Sequence, residues 1–164
     1  MRLHPYDTLS LDNGGQIIFT PCPGTKDATL QESVEILKSA GANALISVMY
    51  DKELTRYGAQ TLSQVCMTQG IEWYQLPISD EAPPTDAFST AWADYVPKII
   101  SLLNDQGVVV VHCKGGSGRT GLVVALLMHA LGYDKLSAKN AVQRLRPKAL
   151  CHPEQLRFFN DFMI

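Results

Sequence analysis

Residues 108–121 read Val-Val-Val-Val-His-Cys-Lys-Gly-Gly-Ser-Gly-Arg-Thr-Gly, and the fold turns on them. Four successive valines suit burial on both faces of a sheet, so Val108 to His112 predicts a central strand. The glycine-rich turn and the apolar run Leu122 to Leu131 behind it predict a loop feeding a helix that starts near Arg119. His129 interrupts that run, which is about half of the roughly 20 residues a membrane span needs. It reads as a buried helix.

Outward from this stretch, segments alternate as β, α, β, α, β, α, β, then helices. Gln16 to Thr20 and Ala44 to Tyr50 are short apolar runs. Between them Leu30, Val34, Ile36, Leu37 and Ala40 recur at near-helical spacing before Gly41, which makes one βαβ unit. Helical periodicity over Ala59 to Thr68 ends at Gly70, and Ile71 to Leu76 is rich in β-branched and aromatic residues. Pro77, Pro83 and Pro84 force a loop, Asp86 to Asn104 predicts a long helix, and three more helices fit the remainder. There is no internal repeat, low-complexity tract or linker. The expectation is one α/β domain over residues 1–164, with a central, largely parallel sheet flanked by helices. Ligands in such sheets collect beyond the carboxyl ends of strands, here just after Val111.

With 164 residues, 46% of them hydrophobic, the chain can bury one good core. A formal charge of -2 and a pI near 6.0 provide no global basic field, which argues against extended nucleic-acid binding and attachment to an anionic membrane. Met1 to Gly15 holds no apolar segment of signal-peptide length. Cysteines at 22, 66, 113 and 151 are scattered through a chain large enough to fold without staples, so reduced thiols in a cytoplasm are expected.

A strand, a glycine-rich loop and a helix make an anion site. Gly115, Gly116 and Gly118 permit positive φ and let successive N–H groups of residues 114–119, Lys114 and Ser117 among them, point inward; the helix N-terminus adds partial positive charge. The Arg119 guanidinium can grip two phosphoryl oxygens and tighten as charge redistributes in a transition state. Inward N–H groups, the helix dipole and Arg119 all favour thiolate over thiol at Cys113, placing a nucleophile opposite a bound phosphorus. Thr120 can donate its hydroxyl to that thiolate, and His112 can order the loop through backbone carbonyls. No Gly-x-x-x-x-Gly-Lys-Ser/Thr occurs, so this is no Walker A loop. His112-Cys113 and Cys151-His152 lack the spacing of a zinc site. Neither metal nor cofactor is expected.

His112-Cys113-x5-Arg119-Thr120-Gly121 resembles the signature of the protein tyrosine and dual-specificity phosphatases. Pro21 to Lys26, Glu53-Leu54-x-x-Tyr57, Pro77-Ile78-x-Asp80 and the Arg-x-Arg-Pro run ending at Gln155 are similar to the cyclin-dependent-kinase-associated phosphatase group. The resemblance implies a dual-specificity phosphatase-like fold and hydrolysis through a cysteinyl-phosphate intermediate. It makes Asp80 the proton donor, ahead of Glu81 and of Asp86, whose ordinary role is a helix N-cap. It sets Gln155 near the hydrolytic water and implies a phosphorylated protein substrate and a protein kinase as partner.

Arg146 can buttress the loop by pairing with a carboxylate, while Glu53, Leu54 and Tyr57 can border the pocket. Ser117 stands where phosphoinositide and inositol pyrophosphate phosphatases often carry a second loop lysine, which tilts the substrate toward a phosphorylated protein side chain. The alternatives are a phosphoinositide or small phosphate-ester phosphatase, and a kinase- or phosphate-binding module of low activity.

Overall fold

The computed structural model describes residues 3–163. In chain order the elements are β1 (Asp7–Ser10), β2 (Gln16–Thr20), α1 (Leu30–Ser39), β3 (Ala44–Ser47), α2 (Asp51–Arg56), α3 (Leu62–Thr68), β4 (Glu72–Gln75), α4 (Asp86–Asn104), β5 (Val108–His112), α5 (Gly118–Ala130), α6 (Lys135–Leu145) and α7 (Pro153–Asp161). One sheet takes the order β1-β2-β5-β3-β4. All neighbours run parallel except β1 against β2.

The valine strand lies in the middle of this sheet. Val109 and Val111 share a cluster with Ile17, Phe19, Ile46, α4 and α5, whereas Val110 joins Ile18, Leu45, Val34 and Leu37 on the face covered by α1 and α3. Alternate valines thus serve opposite layers. Register brings Thr20 of β2 and Ser47 of β3 level with His112, so the loop after His112 emerges between two flanking chains. Behind it, α5 is buried from Arg119 through Met128, and a Cβ on Gly121 would come within 2.4 Å of the Ala149 side chain.

Several elements differ from the sequence reading: α2 stands between β3 and α3 where the alternation had no helix, and β4 is shorter than Ile71 to Leu76 at both ends. β1 was not anticipated: DTLS has one buried position in four, and its pairing with β2 supplies what its composition does not. β3 stops at Ser47 rather than Tyr50, since Tyr50 becomes the N-cap of α2. α3 begins at Leu62 rather than Ala59: Gly58 at φ +74° closes α2, the Ala59 N–H bonds back to Leu54 O, and a turn carries the chain to Leu62.

Candidate active site

The loop from Cys113 to Ser117 is shaped by what holds its carbonyls. His112 Nδ1 donates to Cys113 O (3.1 Å), Cys22 N to Lys114 O (3.1 Å), Arg146 Nε to Gly116 O (2.9 Å) and Gly121 N to Ser117 O (2.7 Å). C=O and N–H of a trans peptide point opposite ways. Four carbonyls tied outside therefore turn the N–H groups of Lys114, Gly115, Ser117 and Gly118 inward. The Gly116 N–H donates to Cys113 Sγ at 3.3 Å.

Of the three loop glycines, only Gly116 has positive φ, at +81°, and there a Cβ would lie 2.6 Å from the Thr20 carbonyl carbon. Gly115 and Gly118 have ordinary φ and open space around a Cβ. The sequence expectation of left-handed freedom at all three narrows to one residue.

Arg119 carries five N–H donors. Nη1 donates to Glu53 Oε1 (2.6 Å) and Ile78 O (3.0 Å), with Val48 O farther off at 3.4 Å; Nη2 donates to Glu53 Oε2 (2.8 Å). Nε and one Nη2 hydrogen are left over, side by side on one edge of the guanidinium. Nε is buried without a hydrogen-bond partner among the described residues, as is Thr120 Oγ1. Burial works against the Arg119 charge, but Glu53, Cys113 and Asp80 outweigh it and push its pKa above the ordinary arginine value. Sequence reading set Glu53 only on the pocket border. Its pairing with Arg119, 66 residues away, has no local signal.

Asp80 is exposed and its Oδ1 is 3.7 Å from Arg119 Nε. Its loop is pinned on both sides: Ile78 O by Arg119, and Ala82 O by Gln155 Nε2 at 3.1 Å. Gln155 is buried, and this contact gives it a loop-anchoring place. Asp86 is the first residue of α4 rather than its N-cap, which is Thr85. It lines a separate groove with Trp73, Tyr74 and Tyr95. Arg146 buttresses the loop as expected, bonding Asp7 Oδ2 at 2.7 Å as well as Gly116 O.

His112 is the end of a relay that sequence reading missed. The Trp73 indole, a donor only, bonds Ser47 Oγ at 2.9 Å, and Ser47 Oγ meets His112 Nε2 at 2.6 Å. The Cys113 carbonyl can only accept, so the neutral ring carries its proton on Nδ1, and Nε2 accepts from the serine hydroxyl. Burial lowers the His112 pKa to about 4; the bond to Cys113 O opposes, and His4 and Arg119 add to the lowering. Burial, then Lys26, lowers His4 to about 4 as well. As for the other buried thiols, Cys22 lies beside Lys114, Cys66 is on α3, and burial pushes each up to about 12.

These two histidines set an acid limit on the fold. The unfolded chain takes up protons as pH falls through about 6.5, and the folded chain only near 4. Their stabilisation is complete above about 6.5 and is lost as pH falls toward 4, on the order of 1–2 kcal/mol each by pH 5. The melting temperature should drop between about pH 7 and pH 5, and His4→Gln should shallow that slope. A flat profile in the parent protein would contradict it.

Residues 24–157 match the family described as PTP-SAK, Swiss Army Knife protein, DSP-PTPase phosphatase domain. The chain belongs to this family. Among curated relatives of the DSP-PTPase domain, cyclin-dependent kinase inhibitor 3 of Rattus norvegicus is 29% identical over 117 residues, 71% of this chain and 53% of the relative. Protein tyrosine phosphatase PRL-1 of Leishmania major is 30% identical over 113 residues, 60% of this chain and 63% of the relative. The chain thus spans about half the length of the kinase inhibitor it matches. The DSP-PTPase fold is also that of kinase associated phosphatase, solved with serine replacing its catalytic cysteine: TM-score 0.86, 23% identity, 99% of this chain and 95% of that one. PTPMT1 in complex with PI(5)P is similar at TM-score 0.68 and 17% identity, over 94% and 92%.

Proposed function

We propose that this chain is a phosphoprotein phosphatase, acting on phosphotyrosine and on phosphoserine or phosphothreonine, with Cys113 as its nucleophile. The observation that carries the reading is the buried edge of Arg119 whose Nε makes no hydrogen bond among the described residues, at a cradle whose N–H groups turn inward around Cys113. Phosphate there would accept from Arg119 Nε and Nη2 and from the loop. Cys113 Sγ attacks phosphorus, the bond to the leaving oxygen breaks, and that oxygen takes a proton from Asp80. Asp80 then takes a proton from water, whose oxygen attacks phosphorus, releasing inorganic phosphate and the Cys113 thiolate. Thr120, through its free hydroxyl, would donate to the departing sulfur. No step calls for a metal or cofactor.

The relatives named for kinases support a phosphoprotein substrate and a kinase partner. PTPMT1 was solved with a phosphoinositide, but here Lys114 is the one lysine of the loop, which favours a less densely charged group. A reducing cytoplasmic setting belongs to the proposal; the four cysteines are free, and among the described residues no helix is long and apolar enough to cross a membrane.

Release of inorganic phosphate from phosphopeptides, compared with an inositol phosphate and lipid panel, tests the substrate class. Asp80→Asn tests the proton donor. It should slow substrates with poor leaving groups by about 100-fold or more, spare activated aryl esters by comparison, and flatten the basic limb of the pH profile. Asp86→Asn, in the other groove, should do neither. The reverse pattern would transfer the role to Asp86.

A further inference from the structure

Beside the cradle, between α2 and the loop after β4, lies an open cavity of about 450 Å³ whose wall includes Lys52, Glu53, Arg56, Tyr57 and Asp80. Its charge is lopsided. Both carboxylates face Arg119, at 2.6 Å for Glu53 and 3.7 Å for Asp80. Lys52 and Arg56, four residues apart on α2 and exposed, make no ion pair among the described residues. A third cation stands close by without lining the cavity: the Lys114 ammonium is 5.0 Å from the centroid of the ring of Tyr57, which does line it, so an aromatic face rather than a carboxylate holds this cation. A chain of net charge -2 therefore gathers three unneutralised cations next to its phosphate cradle.

We infer that this cavity is a second anion subsite, and that the substrate is a phosphopeptide with an acidic group, carboxylate or second phosphate, within a few residues of the scissile phosphate. The inference rests on the phosphatase reading above. Spacing favours a peptide over a ring head group. Side chains at i and i+4 on a helix stand about 5–6 Å apart at Cβ, close to the roughly 6.7 Å between alternate side chains of an extended chain. Two of the cations stand on α2, a different element from the loop, whereas a compact polyphosphate wants its cations within the loop, where Ser117 is found instead. Exposed cations act through screened attraction, so the effect should appear in binding and weaken with salt.

The test compares two phosphotyrosine peptides, one flanked by glutamates and one by alanines, with a generic aryl phosphate, on the parent protein and on Lys52→Ala/Arg56→Ala. The parent should favour the acidic peptide by about 10-fold in kcat/KM, chiefly through KM. That preference should shrink in high salt and vanish in the double variant, while aryl phosphate turnover is unchanged. Equal use of both peptides by the parent, or a preference that survives in the double variant, overturns the subsite. An inositol polyphosphate that competes better than the acidic peptide, and loses that advantage in the double variant, overturns the peptide assignment. Anisotropy of both labelled peptides on Cys113→Ser, with and without the α2 substitutions, reads the subsite apart from chemistry. Binding selectivity there with no turnover of any substrate by the parent would sink the phosphatase reading and leave the subsite standing.

Discussion

Cys113→Ser should abolish steady-state hydrolysis of an aryl phosphate, a fall of about 10⁵-fold or more, and leave melting behaviour close to that of the parent. Serine fits the same buried space, but its oxygen stays protonated and the covalent route closes. Arg119→Lys should lose about 10³-fold or more. An ammonium can meet one oxygen of Glu53 or one of phosphate, and it lacks the planar geometry that lets one edge of the guanidinium hold Glu53 while the adjacent edge faces the cradle. This variant should also be less stable, by roughly 3 kcal/mol, because Glu53 loses one of two bonds and the Ile78 and Val48 carbonyls lose their donor. Circular dichroism therefore accompanies the kinetics. Appreciable turnover by folded Cys113→Ser would end the cysteinyl-phosphate mechanism, and near-normal turnover by Arg119→Lys would remove the two-pronged grip.

Gly116→Ala should cost more than two orders of magnitude in kcat/KM, while Gly115→Ala and Gly118→Ala stay within a fewfold of the parent. The three positions look alike in sequence and differ in surroundings. At Gly116 a methyl would meet backbone, 2.6 Å from Thr20 C and 2.8 Å from Pro21 N, and backbone cannot swing aside as a side chain can. Its φ of +81° adds strain for any L residue. Relief would require the 116 peptide to shift, disturbing the N–H that meets Cys113 Sγ and the carbonyl held by Arg146. The measurement is kcat/KM for all three alanine variants beside their melting temperatures. Equal losses at the three sites would mean that loop softness, rather than the Thr20 contact, governs the cradle.

Much of this was legible in the chain itself, and the reason is range. Val108 to Thr120 is a strand, loop and helix in unbroken succession, so periodicity and glycine spacing report it directly. α4 and β5 fell at their predicted residues for the same reason. Glu53 with Arg119, Trp73 with Ser47 and His112, and Gln155 with Ala82 depend on which strand neighbours which and in what register. Nothing in the spacing of one segment encodes that, and the Glu53-Leu54-x-x-Tyr57 resemblance marked the neighbourhood without disclosing the partner. β1 was missed because an edge strand of four residues, DTLS, with three positions exposed, lacks the alternation by which strands are recognised.

The Arg146 bridge bears on the order in which the molecule matures. Asp7 and Arg146 are 139 residues apart, and the same guanidinium fastens Gly116 O. On a ribosome, β1 and β2 emerge early and the glycine loop much later, yet the clamp on that loop waits for the end of α6, and the Gln155 anchor for α7. Partners so distant along the chain meet only after intervening segments have condensed, since closing long loops is entropically slow. Helical signal should therefore return before catalytic competence in a refolding experiment, with phosphate raising the fraction of chains that complete the final phase by capturing those whose cradle has just closed.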